Sequence, residues 1–112
     1  MPEFIYVTTE QEYEAAAILF NEYAGWLNID LCFQHFSEEL QQLATMYAPP
    51  SGGIILAKME NEFIGCVGIR NIDTGIAELK RMYVKPAFHK RGIGKMLLEK
   101  AMCLLKISYL QH

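Results

Sequence analysis

The stretch "ELKRMYVKPAFHKRGIGKMLLEKA", Glu78 to Ala101, decides the fold. A run of β-formers passes through a proline into a basic, glycine-rich turn and then into an apolar helix. Pro86 ends the strand, because proline has no N–H to give to a sheet ladder. The helix starts near Gly92, with Ile93, Met96, Leu97, Ala101, Leu104 and Leu105 on one buried face. Backbone N–H groups at a helix start lack intrahelical partners and carry part of the positive end of the helix dipole. Gly92 and Gly94 let a ligand approach them without a Cβ in the way, and Lys90, Arg91 and Lys95 add positive charge. A helix mouth of this kind is suited to an anion. The other reading open to the same residues is a tight turn packed on a sheet, with the basic side chains solvated.

Upstream, the hydrophobic period is that of strands. Ile54–Glu60 and Phe63–Ile72 flank the polar pair Asn61 and Glu62 as in an antiparallel hairpin. The turn Asp73–Gly75 then leads into a third strand, Ile76–Val84. Its alternate positions, Ala77/Leu79/Arg81/Tyr83 and Glu78/Lys80/Met82/Val84, both mix apolar and charged groups. Such a strand is bulged or covered on both faces. Before "YAPPSGG", a break of turn formers, the period is helical. Phe4–Val7 reads as a first strand, and Thr9 with Glu12 forms a capping box. The helix that follows carries Ala16, Leu19, Phe20, Tyr23 and Leu27 on one face, with Gly25 weakening its end. A connector, "LNIDLCFQHF", separates it from a second helix, from a Ser37 cap to about Met46. The expected fold is a single α+β domain over residues 1–112: strand, two helices, three-stranded meander, helix.

Composition narrows the function classes. At 112 residues there is room for one domain, and 52% hydrophobic with 21% charged residues is a globular composition. The net charge of −3 disfavours general attraction to nucleic acid or an anionic membrane. The bases Lys80, Arg81, Lys85, Lys90, Arg91 and Lys95 nevertheless cluster in one span of this acidic chain. Cys32, Cys66 and Cys103 form no CxxC pair, which offers neither a zinc ribbon nor a disulfide framework, and their apolar neighbours suggest three buried thiols. Nothing reads as a signal peptide or membrane span, so the expectation is a soluble, cytoplasmic protein.

Spacing separates the anion sites that place glycine before a helix. A P-loop, G-x-x-x-x-G-K-[ST], would need glycine where His89 stands and a hydroxyl residue where Met96 stands. A dinucleotide fingerprint would need glycine in place of Leu97 and a parallel βαβ unit. Both fail. The succession from Glu78 to Ala101 instead resembles the GNAT superfamily of acetyl-CoA-dependent N-acetyltransferases, whose loop pattern R/Q-x-x-G-x-G/A is matched by "HKRGIG", His89 to Gly94. His89 departs from the Arg or Gln of the first position. The resemblance extends back through "YAPPSGGIILAKMENEFIGCVGIR" and the two N-terminal helices.

That resemblance implies a GNAT-like mixed, mainly antiparallel sheet flanked by helices, and acetyl transfer from acetyl-CoA to an amine. It implies a pyrophosphate at His89, Lys90, Arg91, Gly92, Ile93, Gly94 and Lys95. The pantetheine arm would lie on backbone groups of Met82, Tyr83 and Val84, where a bulge would free N–H groups. Glu78 falls where relatives carry a glutamate base; a salt bridge to Lys80 or Arg81, with Arg70 adjoining, or plain solvent exposure, is the alternative. The acceptor pocket would involve Trp26, Asp30, Phe33 and Phe36, which read equally as core and cap. Relatives continue with a further strand, a helix bearing a tyrosine acid and a hairpin, so the chain reads as C-terminally truncated. At most Ile107–Leu110 begins that strand, with Tyr109 either a substitute acid or packing. A homodimer or swapped oligomer that completes the sheet is one expectation. A non-catalytic CoA-binding or self-assembling domain is the alternative function.

Overall fold

The computed structural model describes residues 2–26, 42–47, 52–73 and 76–110. In chain order these form β1 (Glu3–Tyr6), α1 (Glu10–Trp26), α2 (Leu43–Met46), β2 (Gly52–Met59), β3 (Glu62–Asp73), β4 (Ile76–Val84), a 3-10 turn (Pro86–Phe88) and α3 (Ile93–Leu110). The sheet has the order β1-β2-β3-β4, and every pairing is antiparallel. This is the α+β architecture read from the sequence. Of the second expected helix only residues 42–46 fall within the described part, and Leu43–Met46 are helical.

Local chemistry starts α1 where the capping box places it. The Glu12 N–H donates to Thr9 Oγ1 at 3.1 Å, and Glu12 Oε1 accepts from the N–H groups of Thr8 at 2.9 Å and Thr9 at 3.1 Å. These backbone bonds, Thr8 first, hold the Glu12 carboxyl below the usual carboxylate range.

Helices cover both faces of the sheet. On one face Leu19, Phe20 and Ala24 of α1, with Leu43 and Tyr47, pack on Ile54, Leu56, Cys66 and Tyr83. On the other, Ile93, Leu97 and Ala101 of α3 pack on Ile55, Ala57, Ile64, Val67 and Ile69. This double cover explains why β2 is an unbroken apolar run, buried from Gly52 to Ala57. Each fully buried Leu, Ile or Phe contributes about 1.5–3 kcal/mol through the water it leaves. Gly68 makes room for the aromatic pair Phe20 and Tyr47, which meet edge to face at 5.8 Å. A Cβ on Gly68 would lie 2.8 Å from Tyr47 Cε1.

Three expectations change. The hairpin turn lies on Glu60 and Asn61, both at positive φ (54° and 64°), not on Asn61 and Glu62. Two left-handed residues make the two-residue loop whose twist suits a hairpin, and Glu62 is drawn into β3, where its carboxylate meets Lys85 at 3.1 Å. Next, Ile107–Leu110 begin no strand but continue α3. No glycine or proline follows Gly94 to interrupt local i→i−4 bonding, and β-propensity counts for little without a partner strand. Finally, Cys66 is buried but Cys103 is exposed, being off the stripe that carries Ile93, Leu97 and Ala101; Cys32 lies outside the described residues. No helix among the described residues is long and apolar enough to cross a membrane.

Candidate functional site

The site begins with an irregularity in β4. Pairing runs Gly65↔Val84 and Cys66↔Tyr83, then jumps to Gly68↔Lys80, so Arg81 and Met82 together oppose Val67. This is a β-bulge, and Arg81 sits in it at φ 58°, a conformation uncommon outside glycine. The extra residue resets the side-chain alternation. Leu79, Met82 and Val84 all join the core on the α3 side, although Leu79 and Met82 are three apart. Arg81 and Tyr83 turn the other way: the Arg81 guanidinium lies 6.0 Å from the Tyr23 ring centroid, and Tyr83 meets the same ring edge on at 6.3 Å. β4 is also last in the sheet order, and no strand pairs with its outer edge among the described residues.

From Val84 the chain turns through Pro86–Phe88 into the mouth of α3. The first α3 bond runs from the Met96 N–H to the Gly92 carbonyl at 3.1 Å. Gly92 is therefore the cap, and the N–H groups of Gly92, Ile93, Gly94 and Lys95 have no intrahelical acceptor. Gly92 adopts φ 76°, a conformation that favours glycine there. At Gly94 a Cβ would find only Val84 Cγ2, at 4.0 Å, so the space above it is open. Lys90, Arg91 and Lys95 are exposed around this mouth, with Arg91 5.4 Å from the Phe88 ring centroid. His89, read as a possible phosphate donor, turns its Nε2–H to the Val84 carbonyl at 2.7 Å.

The structure thus brings together the end of β4 (Met82, Tyr83, Val84) and the loop from His89 to Lys95. Glu78 stands apart from them, before the bulge, exposed, with Lys80 Nζ at 3.9 Å and Arg70 opposite it in register. Asp30, Phe33 and Phe36, and the side chains of Trp26 and Tyr109, lie outside the described part of the chain.

Sequence reasoning missed a polar cluster on the α1 side of β4. Lys85 Nζ lies 3.1 Å from Glu62 Oε2 and 3.7 Å from Glu22 Oε1. The Glu62 bond is the main reason that the Lys85 ammonium is held above its usual range. Burial, then Glu22, raises the Tyr83 phenol. Helix α1 and strand β4 meet here only in the folded chain, so no local motif could signal it. Cys66 was read only as a buried thiol, but its Sγ–H donates to the Arg81 carbonyl at 3.2 Å inside the bulge. Burial pushes this thiol far above its usual range, with a smaller opposing pull from a hydrogen bond between the Tyr83 backbone and the sulfur.

Residues 6–106, from the last residue of β1 into α3, match the model of the acetyltransferase (GNAT) family. The chain belongs to this family. An uncharacterized N-acetyltransferase of Dictyostelium discoideum is 41% identical over 75 residues, covering 66% of this chain and 35% of that protein. One from Schizosaccharomyces pombe is 30% identical over 95 residues, covering 83% of this chain and 58% of its own. The chain therefore spans only about a third and somewhat over half of these two relatives. Among solved structures, a GNAT acetyltransferase from Staphylococcus aureus superposes with a TM-score of 0.76 at 23% identity, over 95% of this chain and 66% of that one. The PaiA N-acetyltransferase of Thermoplasma acidophilum, in complex with coenzyme A, gives 0.73 at 22% identity over 95% and 72%. At such identities the likeness shows the GNAT fold alone.

Proposed function

We propose that this domain holds acetyl-CoA and passes its acetyl group to an amine. The observation that carries the reading is the meeting of the α3 mouth with the bulged end of β4. The pyrophosphate rests on the N–H groups from Gly92 to Lys95, with Lys90, Arg91 and Lys95 adding charge and His89 fixing the loop. The pantetheine arm lies along β4, on backbone groups of Met82, Tyr83 and Val84. A ligand with an anionic head and an extended amide arm uses both features; a plain nucleotide uses only the first. The two N-acetyltransferase relatives, and the PaiA neighbour in complex with coenzyme A, favour the same ligand.

In this reading the acceptor nitrogen attacks the thioester carbonyl, whose oxygen gains charge beside the bulge backbone. The C–S bond breaks, CoA leaves as the thiolate, and the nitrogen gives up its surplus proton to Glu78, directly or through water. The exposure of Glu78 and its loose contact with Lys80 leave it able to accept. The proposal places the reaction in the cytoplasm, where free thiols such as Cys66 and Cys103 stay reduced.

The test is calorimetric titration of the chain with acetyl-CoA, with ATP and NAD as controls, for wild type and Gly94→Leu. The open space above Gly94 means that leucine fits the fold but fills the anion position. Saturable binding of acetyl-CoA alone, lost in Gly94→Leu, is the expected result. Equal affinity for ATP, or binding untouched by Gly94→Leu, would sink the reading.

The edge of β4 favours a second reading, in which the domain binds CoA without turnover and self-associates by adding a strand there. Sedimentation that shows a monomer at high concentration rules out the association.

A further inference from the structure

The structure assigns Cys66 the role of a positioning residue that holds the β4 bulge in shape. A bulge frees backbone groups from the ladder, and each one buried away from water must find another partner. The Arg81 carbonyl finds the Cys66 Sγ–H at 3.2 Å. The Tyr83 backbone hydrogen-bonds the same sulfur. One side chain therefore contacts the residue on either side of Met82. Cys66 is fully buried, at 0% exposure, and sits at the register jump, paired with Tyr83 just before the ladder slips. Arg81 at φ 58° is a conformation that persists only where its surroundings over-determine it. The Cys66 thiol supplies that constraint from below, and the Tyr23 ring faces the Arg81 side chain. Burial keeps the sulfur protonated and so able to donate. A wholly apolar residue at 66 would fill the space but leave the Arg81 carbonyl without its thiol partner.

The functional half of this inference rests on the proposal that β4 receives the pantetheine arm. Cys66 touches no substrate; it sets where Met82 and Tyr83 present their backbone groups. The experiment therefore reads the bulge and the ligand separately, in wild type, Cys66→Ser, Cys66→Ala and Cys66→Val. Amide chemical shifts and hydrogen exchange from Lys80 to Val84 report the bulge. Affinities for acetyl-CoA and for 3′-phosphoadenosine diphosphate, which lacks the arm, report the two parts of the cleft.

Cys66→Ala and Cys66→Val are expected to shift the Arg81–Tyr83 amides, to speed Tyr83 exchange about tenfold and to weaken acetyl-CoA by a similar factor, as for loss of about 1.4 kcal/mol. The armless probe should bind as before. Serine still donates, so Cys66→Ser should restore the shifts and most of the affinity. A purely apolar role gives the reverse order, because a buried hydroxyl is then worse than a methyl group. Unchanged amides in both Ala and Val variants, or Ser no better than Ala, overturn the inference. If valine does not fold, alanine gives the same reading. Should wild type fail to bind acetyl-CoA, the proposed function falls, while the amide comparison still decides what Cys66 does.

Discussion

The His89 ring donates its Nε2 proton to the Val84 carbonyl across 2.7 Å, joining the loop before α3 to the last residue of β4. The family pattern has Arg or Gln at this position, and all three side chains share an N–H donor on a planar group. The donor therefore fits the position better than any one residue type does. Replacing His89 by Ala should free the loop and weaken acetyl-CoA by about threefold to tenfold, the worth of one neutral hydrogen bond. His89→Gln should recover most of it. Titration calorimetry on the three proteins checks this, and equal loss in both variants would count against the donor.

The Thr9–Glu12 box makes a second prediction, about stability. Thr9→Ala should cost about 1 kcal/mol in urea unfolding, the usual worth of an N-cap. Backbone N–H bonds hold the Glu12 carboxyl below its unfolded value, so between the two values the unfolded chain binds more protons. This stabilisation is full above the unfolded carboxylate pKa and fades as pH falls through the lower, folded one. Glu12→Gln should therefore be less stable than wild type at pH near neutral, with the gap narrowing in acid. A gap independent of pH would show that the carboxylate charge plays no part.

The third prediction tests the space under α1. In Gly68→Ala the new Cβ would stand 2.8 Å from the Tyr47 ring and 3.2 Å from the Lys80 carbonyl. Overpacking of a filled core costs about 1–3 kcal/mol. The position faces away from α3, toward Tyr47 and Phe20, so thermal melting should fall. A variant as stable as wild type would mean that Tyr47 shifts at no cost.

The strands of the meander were legible because their period is local, and Ile76–Val84 was bounded to the residue by Gly75 and Pro86. Strand β4 also showed its irregularity. Read at strict period two, both faces mix charge with apolar groups; with one extra residue at Arg81–Met82, Leu79, Met82 and Val84 fall together on the α3 side. The helix mouth was legible for a like reason, since glycine, charge and a helical stripe stand within ten or so positions of one another. What the sequence hid is tertiary. The Lys85 bonds to Glu22 and Glu62 and the Cys66 bond to Arg81 join residues 15 or more positions apart, with no periodic signature. The hairpin slipped by one residue because Glu60 accepts a positive φ that side-chain type did not announce.

The last prediction separates charge from geometry at the α3 mouth. Lys90, Arg91 and Lys95 are exposed, so each should contribute modestly, roughly 0.3–1 kcal/mol, to holding an anion there. Arg91→Ala and Lys95→Ala should each weaken acetyl-CoA by about twofold to fivefold, and the pair together by roughly the product if they act independently. Their share must also be screened: the Debye length falls from about 10 Å at 0.1 M salt to about 3 Å at 1 M. Wild type should thus lose affinity as salt rises, and the double variant should lose less. Gly94→Leu acts by filling space rather than by removing charge, so its defect should persist at every salt concentration. A double variant with the salt dependence of wild type would place the bound anion away from this helix mouth, whatever the ligand proves to be.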